Sequence, residues 1–446
     1  MAFSKIKTFV IFAGDILIFY VSLAVSLFIR RPFGDQNFEN FFKMHLWPFT
    51  LVLLIWIFVF YLADLYNARS FKNNFSLIKI FAFSIVISTA LSSIFFYLFP
   101  YPGVSPKTSL IIFAITFGIL GFLWRYIFNY ANTNAGFTEN IIFIIPDKNS
   151  IDLNNTIAHI ESNPQLGYKI INKIKEADIS VKSFLSSPTA PQNNNLIVIP
   201  AHLLENEKIT KIIYNSITTG AKAITFSNFY EMIFKKVPLS ELNESWFVEN
   251  IFQKHPIYDI IRRPIEFIIS LVLIIILFPI FLILWILAKV ASKGPAIYKH
   301  IRISKNKREF MFYKFRSMAK DHTPALLDQS TAKITPIGKL LRKTHFDELP
   351  QLFNILKGDL SFVGPRPDFI DYFNELNKQI PYYDIRTAIT PGITGWAQVN
   401  YPITVSLEQT KERLSYDLFY LKNRSFLLDL VILIKTIRII FTASGF

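Results

Sequence analysis

A chain of 446 residues has room for about two to four domains. Its hydrophobic fraction of 52%, its 46 Phe and a mean hydropathy of +0.35 exclude an ordinary soluble protein, so part of the chain meets lipid. A formal charge of +15 beside long apolar runs favours an anionic membrane face and phosphorylated substrates over nucleic acid, and the lack of Cys excludes disulfides, thiolate nucleophiles and Cys-based metal sites.

Four apolar segments come first, near 6–29, 46–66, 77–99 and 108–130. Each matches the roughly 20 residues that a helix needs to cross the hydrocarbon core. Lys5 and Lys7 precede the first segment and no small-residue cleavage pattern comes after it, so the sequence predicts an uncleaved membrane helix rather than a removed signal peptide. Arg30, Arg31 and Lys43 in the first loop offset Arg69 and Lys72 in the second, which leaves orientation open on charge alone. Residues 1–133 are read as a four-helix transmembrane bundle, with the N-terminus inside as the chemistry of the C-terminal third requires.

From 134 to 250 the composition becomes that of a small soluble α/β domain with Rossmann-like alternation. Ile141–Ile145, Leu196–Ile199 and Ala221–Phe226 read as buried parallel strands, and stretches near 150–161 and 204–219 as the helices between them. The loop Pro146-Asp147-Lys148-Asn149-Ser150 has no glycine, which argues against a dinucleotide pyrophosphate in this domain. A spacer, or a dimerising or regulatory module, is the better reading. Gln192 to Asn195 is expected to be a polar surface loop.

Residues 251–446 open with an apolar run, Phe267 to Ala288, interrupted by Pro279. Arg262 and Arg263 stand before it and Lys289 and Lys293 after it, so both ends carry the charge that suits an anionic cytoplasmic surface. With proline in mid-helix bending the axis, the sequence predicts a broken, re-entrant helix at about 264–290 rather than a fifth crossing. A fifth crossing would carry the basic, motif-bearing rest of the chain to the far side of the membrane.

The stretch after this helix is basic. Lys299 to Lys320 holds eight Lys or Arg and one acid, Glu309, interleaved with aromatics, a composition suited to a headgroup layer and to phosphates. Lys314 and Arg316 are the candidates within it. Asp347 and Glu348 are adjacent acids, which alone would read as a solvated helix start. Leu349, Leu352, Phe353 and Leu356 recur behind them at helical spacing, so the pattern predicts a helix with Asp347 near its N-terminal end, where a carboxylate or phosphate is favoured. Two neighbouring carboxylates divide phosphoryl chemistry, one attacking phosphorus and the other holding Mg²⁺. Arg342 and Arg366 offer planar, permanently charged forks to phosphate oxygens, Arg366 being fixed between Pro365 and Pro367. Trp396, in the tight Pro391-Gly392 and Gly395-Trp396 loop, is either core filling or a flat wall beside a uracil or lipid headgroup; Gln398 is grouped with it as a donor or lipid pocket.

Four ordered blocks, Lys314-Phe315-Arg316-Ser317-Met318, Asp347-Glu348-Leu349-Pro350-Gln351-Leu352, Gly364-Pro365-Arg366-Pro367 and Thr390 to Asn400, resemble those of the bacterial sugar transferases. That family moves a sugar 1-phosphate from a UDP-sugar to a polyprenyl phosphate. The resemblance runs from about Arg262 to the C-terminus and implies a mainly α catalytic domain held by a re-entrant helix in the bacterial inner membrane, its active site on the cytoplasmic face. It implies Asp347 as nucleophile, Glu348 as Mg²⁺ partner, and Arg342 and Arg366 on phosphate. The implied partners are a UDP-sugar, undecaprenyl phosphate and membrane lipids, with no nucleic acid and room for a homodimer, and the implied product starts an O-antigen, capsule or exopolysaccharide. Glu266 where the family usually has aspartate, and Tyr401 where glycine is common, depart from the pattern. Two rivals stay open: a non-catalytic scaffold that binds anionic lipid through its basic half, and a hydrolase acting on a glycosidic bond.

Overall fold

The computed structural model describes residues 2–30, 38–63, 65–66, 75–101, 106–134, 139–147, 150–178, 195–218, 220–251, 256–291, 294–318, 334–401 and 406–441. Lys148, Asn149, Gln192 to Asn194, Lys293 and Lys320 lie outside them, and Asn195, expected in a surface loop, is buried. The chain divides into two compact units, Met1–Thr225 and Phe226–Phe446.

The first unit begins with four helices, α1 (Ala2–Arg30), α2 (Phe38–Leu62), α3 (Phe75–Leu98) and α4 (Pro106–Asn134), each with a stretch long and apolar enough to cross a membrane. Aromatic side chains fill the centre. Phe19 meets Phe113 edge-on at 4.7 Å, and Trp56 meets Phe117 at 4.9 Å, while the Trp56 indole N–H donates to Ser92 Oγ at 3.1 Å. A buried ion pair joins the first helix to the fourth, Asp15 with Arg125.

A parallel four-stranded sheet comes next in the order β2-β1-β3-β4, with β1 Glu139–Ile145, β2 Tyr168–Lys175, β3 Leu196–Ile199 and β4 Lys222–Thr225. Helices α5 (Ile151–Glu161) and α6 (Glu207–Thr218) supply the connections read from the sequence. The sequence reading missed β2. It is an edge strand with Lys169, Lys173 and Lys175 along it, so it lacks the apolar run that marked the inner strands.

The second unit starts earlier than the sequence predicted. Helices α7 (Phe226–Phe234) and α8 (Glu244–Asn250) pack with the C-terminal domain: Val237, Trp246, Phe247 and Ile251 share a core with Leu414, Leu418 and Leu421. Next comes α9 (Pro256–Ala291), a single helix of 36 residues running through Pro264 and Pro279. Pro279 therefore does not end the helix; one lost hydrogen bond is tolerated because packed residues hold it on both sides. Arg262, Glu266, Leu273, Ile274, Leu277, Phe281, Leu284 and Ala288 form one helical stripe against the rest of the unit. The opposite face, with Ile268, Ile275, Ile276, Phe278 and Ile283, is apolar and exposed.

Strands β5 (Ile297–Ile303) and β6 (Glu309–Phe315) form an antiparallel hairpin, succeeded by α10 (Pro336–Lys343) and α11 (Gln351–Lys357). Gly358 (φ 85°) ends α11 in the left-handed conformation, and Arg263 of α9 caps its last turn through the carbonyls of Ile355 and Leu356. A short parallel pair, β7 (Ser361–Val363) with β8 (Gly392–Thr394), and helices α12 (Ile370–Gln379), α13 (Trp396–Asn400), α14 (Leu407–Asn423) and α15 (Phe426–Phe441) complete the unit. At Gly392 a Cβ would lie 2.1 Å from Gly364 N, so both glycines are demanded by backbones that cross in contact.

Candidate active site

The motif blocks meet around Asp347 and Glu348. Phe310 and Phe312 of β6 point into the core beside Leu352 and Ile355, and the two-residue period of the strand brings Lys314 to the same side. Its Nζ lies 2.5 Å from Glu348 Oε1 and 3.7 Å from Asp347 Oδ2, so a single ammonium bridges both acids. Arg366 adds a second cation, with Nη2 3.5 Å from the same Glu348 oxygen.

The acids are not in the first turn of the expected helix. They occupy a 3₁₀ turn, Phe346–Glu348, and α11 begins only at Gln351. His345 enters that turn with φ 56°, a left-handed conformation that a non-glycine residue adopts under constraint, as functional sites often impose. The turn hangs on α10, whose N-cap is Thr335; a Cβ at Gly338 would lie 2.0 Å from Ser317 O, so this helix lies directly on the chain after Lys314.

Burial pushes the Asp347 carboxyl up, and Glu348 adds to this against the opposing charge of Lys314 and Arg342. Burial acts on Glu348 in the same direction, but Lys314 and Arg366 more than offset it and hold that carboxyl down, at about 2. The pair is therefore split into one acid that retains a proton more readily and one firmly held anion, the pattern by which neighbouring carboxylates take different roles.

The remaining predicted residues divide. Arg342 donates from Nε to Ser317 Oγ at 3.0 Å and contributes to the field at Asp347. Arg316 instead lies over Gly294, where a Cβ would come 2.2 Å from its Nη1, and is not among the groups that touch either acid in the described residues. Trp396 is core: it is buried, stacks on Phe419 at 5.8 Å, and donates its indole N–H to Lys235 O at 2.8 Å. Gln398 Nε2 donates to Ile393 O at 3.0 Å, and its Oε1 is enclosed with no hydrogen-bond partner among the described residues.

Sequence reasoning missed the support behind Arg366. Arg386, buried, donates from Nη2 to Arg366 O at 3.1 Å, from Nε to Asp417 at 2.8 Å and from Nη1 to Asp368. Arg302 lies between the Phe312 and Phe369 rings, 4.6 and 3.9 Å from their centroids, and donates to Pro367 O. Arg262 of α9 reaches Ser361 and Val363 O, so the strand leading into Gly364-Pro365-Arg366 is tied to the long apolar helix. Gln351, next to the acids in the motif, is also buried, with Nε2 unpartnered among the described residues.

Comparison with known proteins gives this arrangement a context. Residues 257–443 match the family described as bacterial sugar transferase. The chain is 38% identical over 193 residues to a UDP-N-acetylgalactosamine-undecaprenyl-phosphate N-acetylgalactosaminephosphotransferase of Aeromonas hydrophila, a match covering 43% of this chain and 46% of that protein, so less than half of the relative's length is spanned. It is 26% identical over 474 residues to the galactosyl transferase CpsE of Streptococcus agalactiae, across 96% of this chain and 99% of the other. To the uncharacterized sugar transferase EpsL of Bacillus subtilis it is 41% identical over 172 residues, 37% of this chain and 80% of that one. With the ordered blocks drawn around one carboxylate pair and that relative matched over most of its length, the chain belongs to the bacterial sugar transferase family.

Proposed function

We propose that the protein is a membrane-bound phosphoglycosyl transferase that moves a hexose 1-phosphate from a UDP-sugar to undecaprenyl phosphate, releases UMP and starts a surface polysaccharide. The observation that carries this reading is the unequal carboxylate pair bridged by Lys314 and faced by Arg366. In the first step an Asp347 carboxylate oxygen attacks the sugar-bearing phosphorus of the donor, the bond from that phosphorus to the bridging oxygen breaks, and its electron pair leaves with UMP. In the second, an oxygen of the lipid phosphate attacks the same phosphorus and the acyl-phosphate P–O bond breaks. This returns Asp347 as a carboxylate and yields lipid diphosphosugar. Lys314 and Arg366 offset the charge that builds on the phosphoryl oxygens.

Mg²⁺ suits the same donor set. Among the described residues no third acid or His is grouped with Asp347 and Glu348, and Mg²⁺ is ordinarily held by one or two carboxylates together with substrate phosphates. Glu348, already a firmly held anion with an ammonium on it, and Asp347 beside it would hold the ion, which neutralises the diphosphate when bound.

The packing of α9 favours re-entry over crossing. Residues at its beginning, middle and end all rest on the same unit, while a crossing helix would leave one end behind. Its exposed apolar face then lies in one leaflet and the active site stays on the cytoplasmic side. The relatives' names differ in sugar, N-acetylgalactosamine in one and galactose in another, so the donor is assigned by class alone. The parallel-sheet domain serves as a spacer or a dimerising module.

The test is UMP release by detergent-solubilised protein with a panel of UDP-sugars, Mg²⁺ or chelator, and polyprenyl phosphate present or omitted. UMP from one donor, matched by lipid diphosphosugar and lost in Asp347→Asn and under chelation, is expected. No UMP from any donor, in folded protein, would favour the lipid-binding scaffold; free sugar without UMP would favour the hydrolase.

A further inference from the structure

The cluster behind Arg366 contains a cation that its acids leave unused. α14 presents Arg413 one turn before Asp417, the spacing at which an arginine and an aspartate on one helix can pair. Arg386 takes that aspartate instead, at 2.8 Å, and takes Asp368 as well. Arg413 Nε and Nη2 are closed off from solvent and donate to no acceptor among the described residues. Four guanidinium groups, Arg302, Arg366, Arg386 and Arg413, thus lie among three carboxylates, Asp368, Asp417 and Glu348, and Lys314 already holds the last of these.

A guanidinium cannot shed its charge at ordinary pH, and leaving two of its donors enclosed and unpaired, as in the half-buried Arg413, is costly. The two idle nitrogens are not arbitrary. Nε–H and an Nη2–H form one edge of the planar group and point in parallel, the fork that receives two oxygens of a phosphate. We propose that Arg413 is a phosphate-binding residue, its side-on fork taking two oxygens of a substrate phosphate in a subsite joined through Arg366 to the Asp347–Glu348 pair. The inference rests on the transferase reading for the identity of that phosphate, which belongs either to the nucleoside diphosphate of the donor or to the lipid acceptor. Burial pushes the Arg413 guanidinium down and the charges of Arg386 and Arg366 add to this against Asp417 and Asp368, as expected where an anion is favoured.

The full-length protein in detergent tests this by thermal unfolding of wild type, Arg413→Gln and Arg413→Lys, alone and with inorganic phosphate, UDP or a short-chain polyprenyl phosphate. Without ligand, Arg413→Gln should unfold at or above the wild-type temperature, because it removes two enclosed, unpaired donors from a half-buried guanidinium. Its apparent affinity for a phosphate probe should fall about tenfold or more, the worth of a hydrogen bond to a charged group, with partial recovery in Arg413→Lys. A loss confined to UDP assigns the subsite to the donor, one confined to the lipid assigns it to the acceptor, and a loss for both makes it a seat that they share. Should Arg413→Gln be less stable, Arg413→Lys decides: retained stability with weakened binding supports the subsite. Binding of all three probes at wild-type affinity in both variants would overturn it and make Arg413 a structural partner of Asp417. Wild type that binds phosphate through Arg413 but consumes no UDP-sugar would sink the transferase reading and leave the subsite standing.

Discussion

The helical bundle and the catalytic unit both bury charge, and they treat it in opposite ways. In the bundle, Arg125 meets both oxygens of Asp15, at 2.8 and 2.6 Å, with each side chain 4% exposed and the guanidinium over the Phe60 and Phe81 rings. One acid and one base cancel, and Nε of Arg125 is left without an acceptor among the described residues. Around Asp347 and Glu348 the account does not close: Lys314 serves two acids, Arg366 reaches one of them from 3.5 Å, and Arg413 has an entire edge unused among the described residues. A closed pair in an apolar setting holds helices in register. An open cluster with excess positive charge is built for anions that arrive and leave.

The sharpest way to separate the two designs is to neutralise an aspartate in each. Asp347→Asn should lower turnover by roughly 10³-fold or more, as loss of a nucleophile does, while leaving unfolding temperature unchanged or raised. The raised pKa of Asp347 means that its charge opposes folding at neutral pH, so removing it costs no stability. In the bundle the outcome inverts. Asp15→Asn or Arg125→Leu should cost about 3–5 kcal/mol by stranding one charge, read as a lower unfolding temperature, with turnover per folded molecule retained. The double change Asp15→Leu with Arg125→Met should recover most of that loss; failure to recover would mean that the pair does more than hold two helices together. Between these extremes lies Arg366→Lys. It keeps the charge but gives up the planar fork fixed between two prolines, and kcat/KM should fall about 10- to 100-fold with stability unchanged.

Much of this was legible in the chain and some was not, for physical reasons. Inner strands β1 and β3 carry continuous apolar runs because both faces are covered, and they stand out. The edge strand β2 alternates with lysines and does not. The motif blocks were visible, yet not their assembly: Lys314 and Glu348 are 34 positions apart, and only the fold shows one ammonium on two acids. Arg302 was one cation among eight in a basic stretch, and Arg386 and Arg413 carried no local signal, since a lone arginine reads the same whether it is solvated or buried. The nature of Trp396 was decided by Lys235, 161 positions away, in a segment that the sequence assigned to the neighbouring domain. Pro279 does not end the helix, because side chains pack on both sides of it, and that is a tertiary fact.

The smallest expected effect is on pH dependence, and it probes the open cluster directly. In the proposed first step Asp347 attacks as a carboxylate, so the acid limb of kcat/KM should report its raised pKa and lie above the ordinary value of 3.8. Lys314 is the largest favourable charge on that carboxylate. In Lys314→Met the protonated form is favoured further, and the acid limb should move to higher pH by about one unit or more. Glu348 responds in the stability profile. Its folded pKa is depressed from 4.5 to about 2, so the stability it contributes is fully present above 4.5 and is lost as pH falls toward 2. Loss of Lys314 raises the folded value and shrinks that contribution, so the variant should be less stable than wild type at neutral pH and the difference should fade in acid. Coincident profiles for wild type and variant, in both rate and stability, would mean that the ammonium bridging the two acids does not set their protonation.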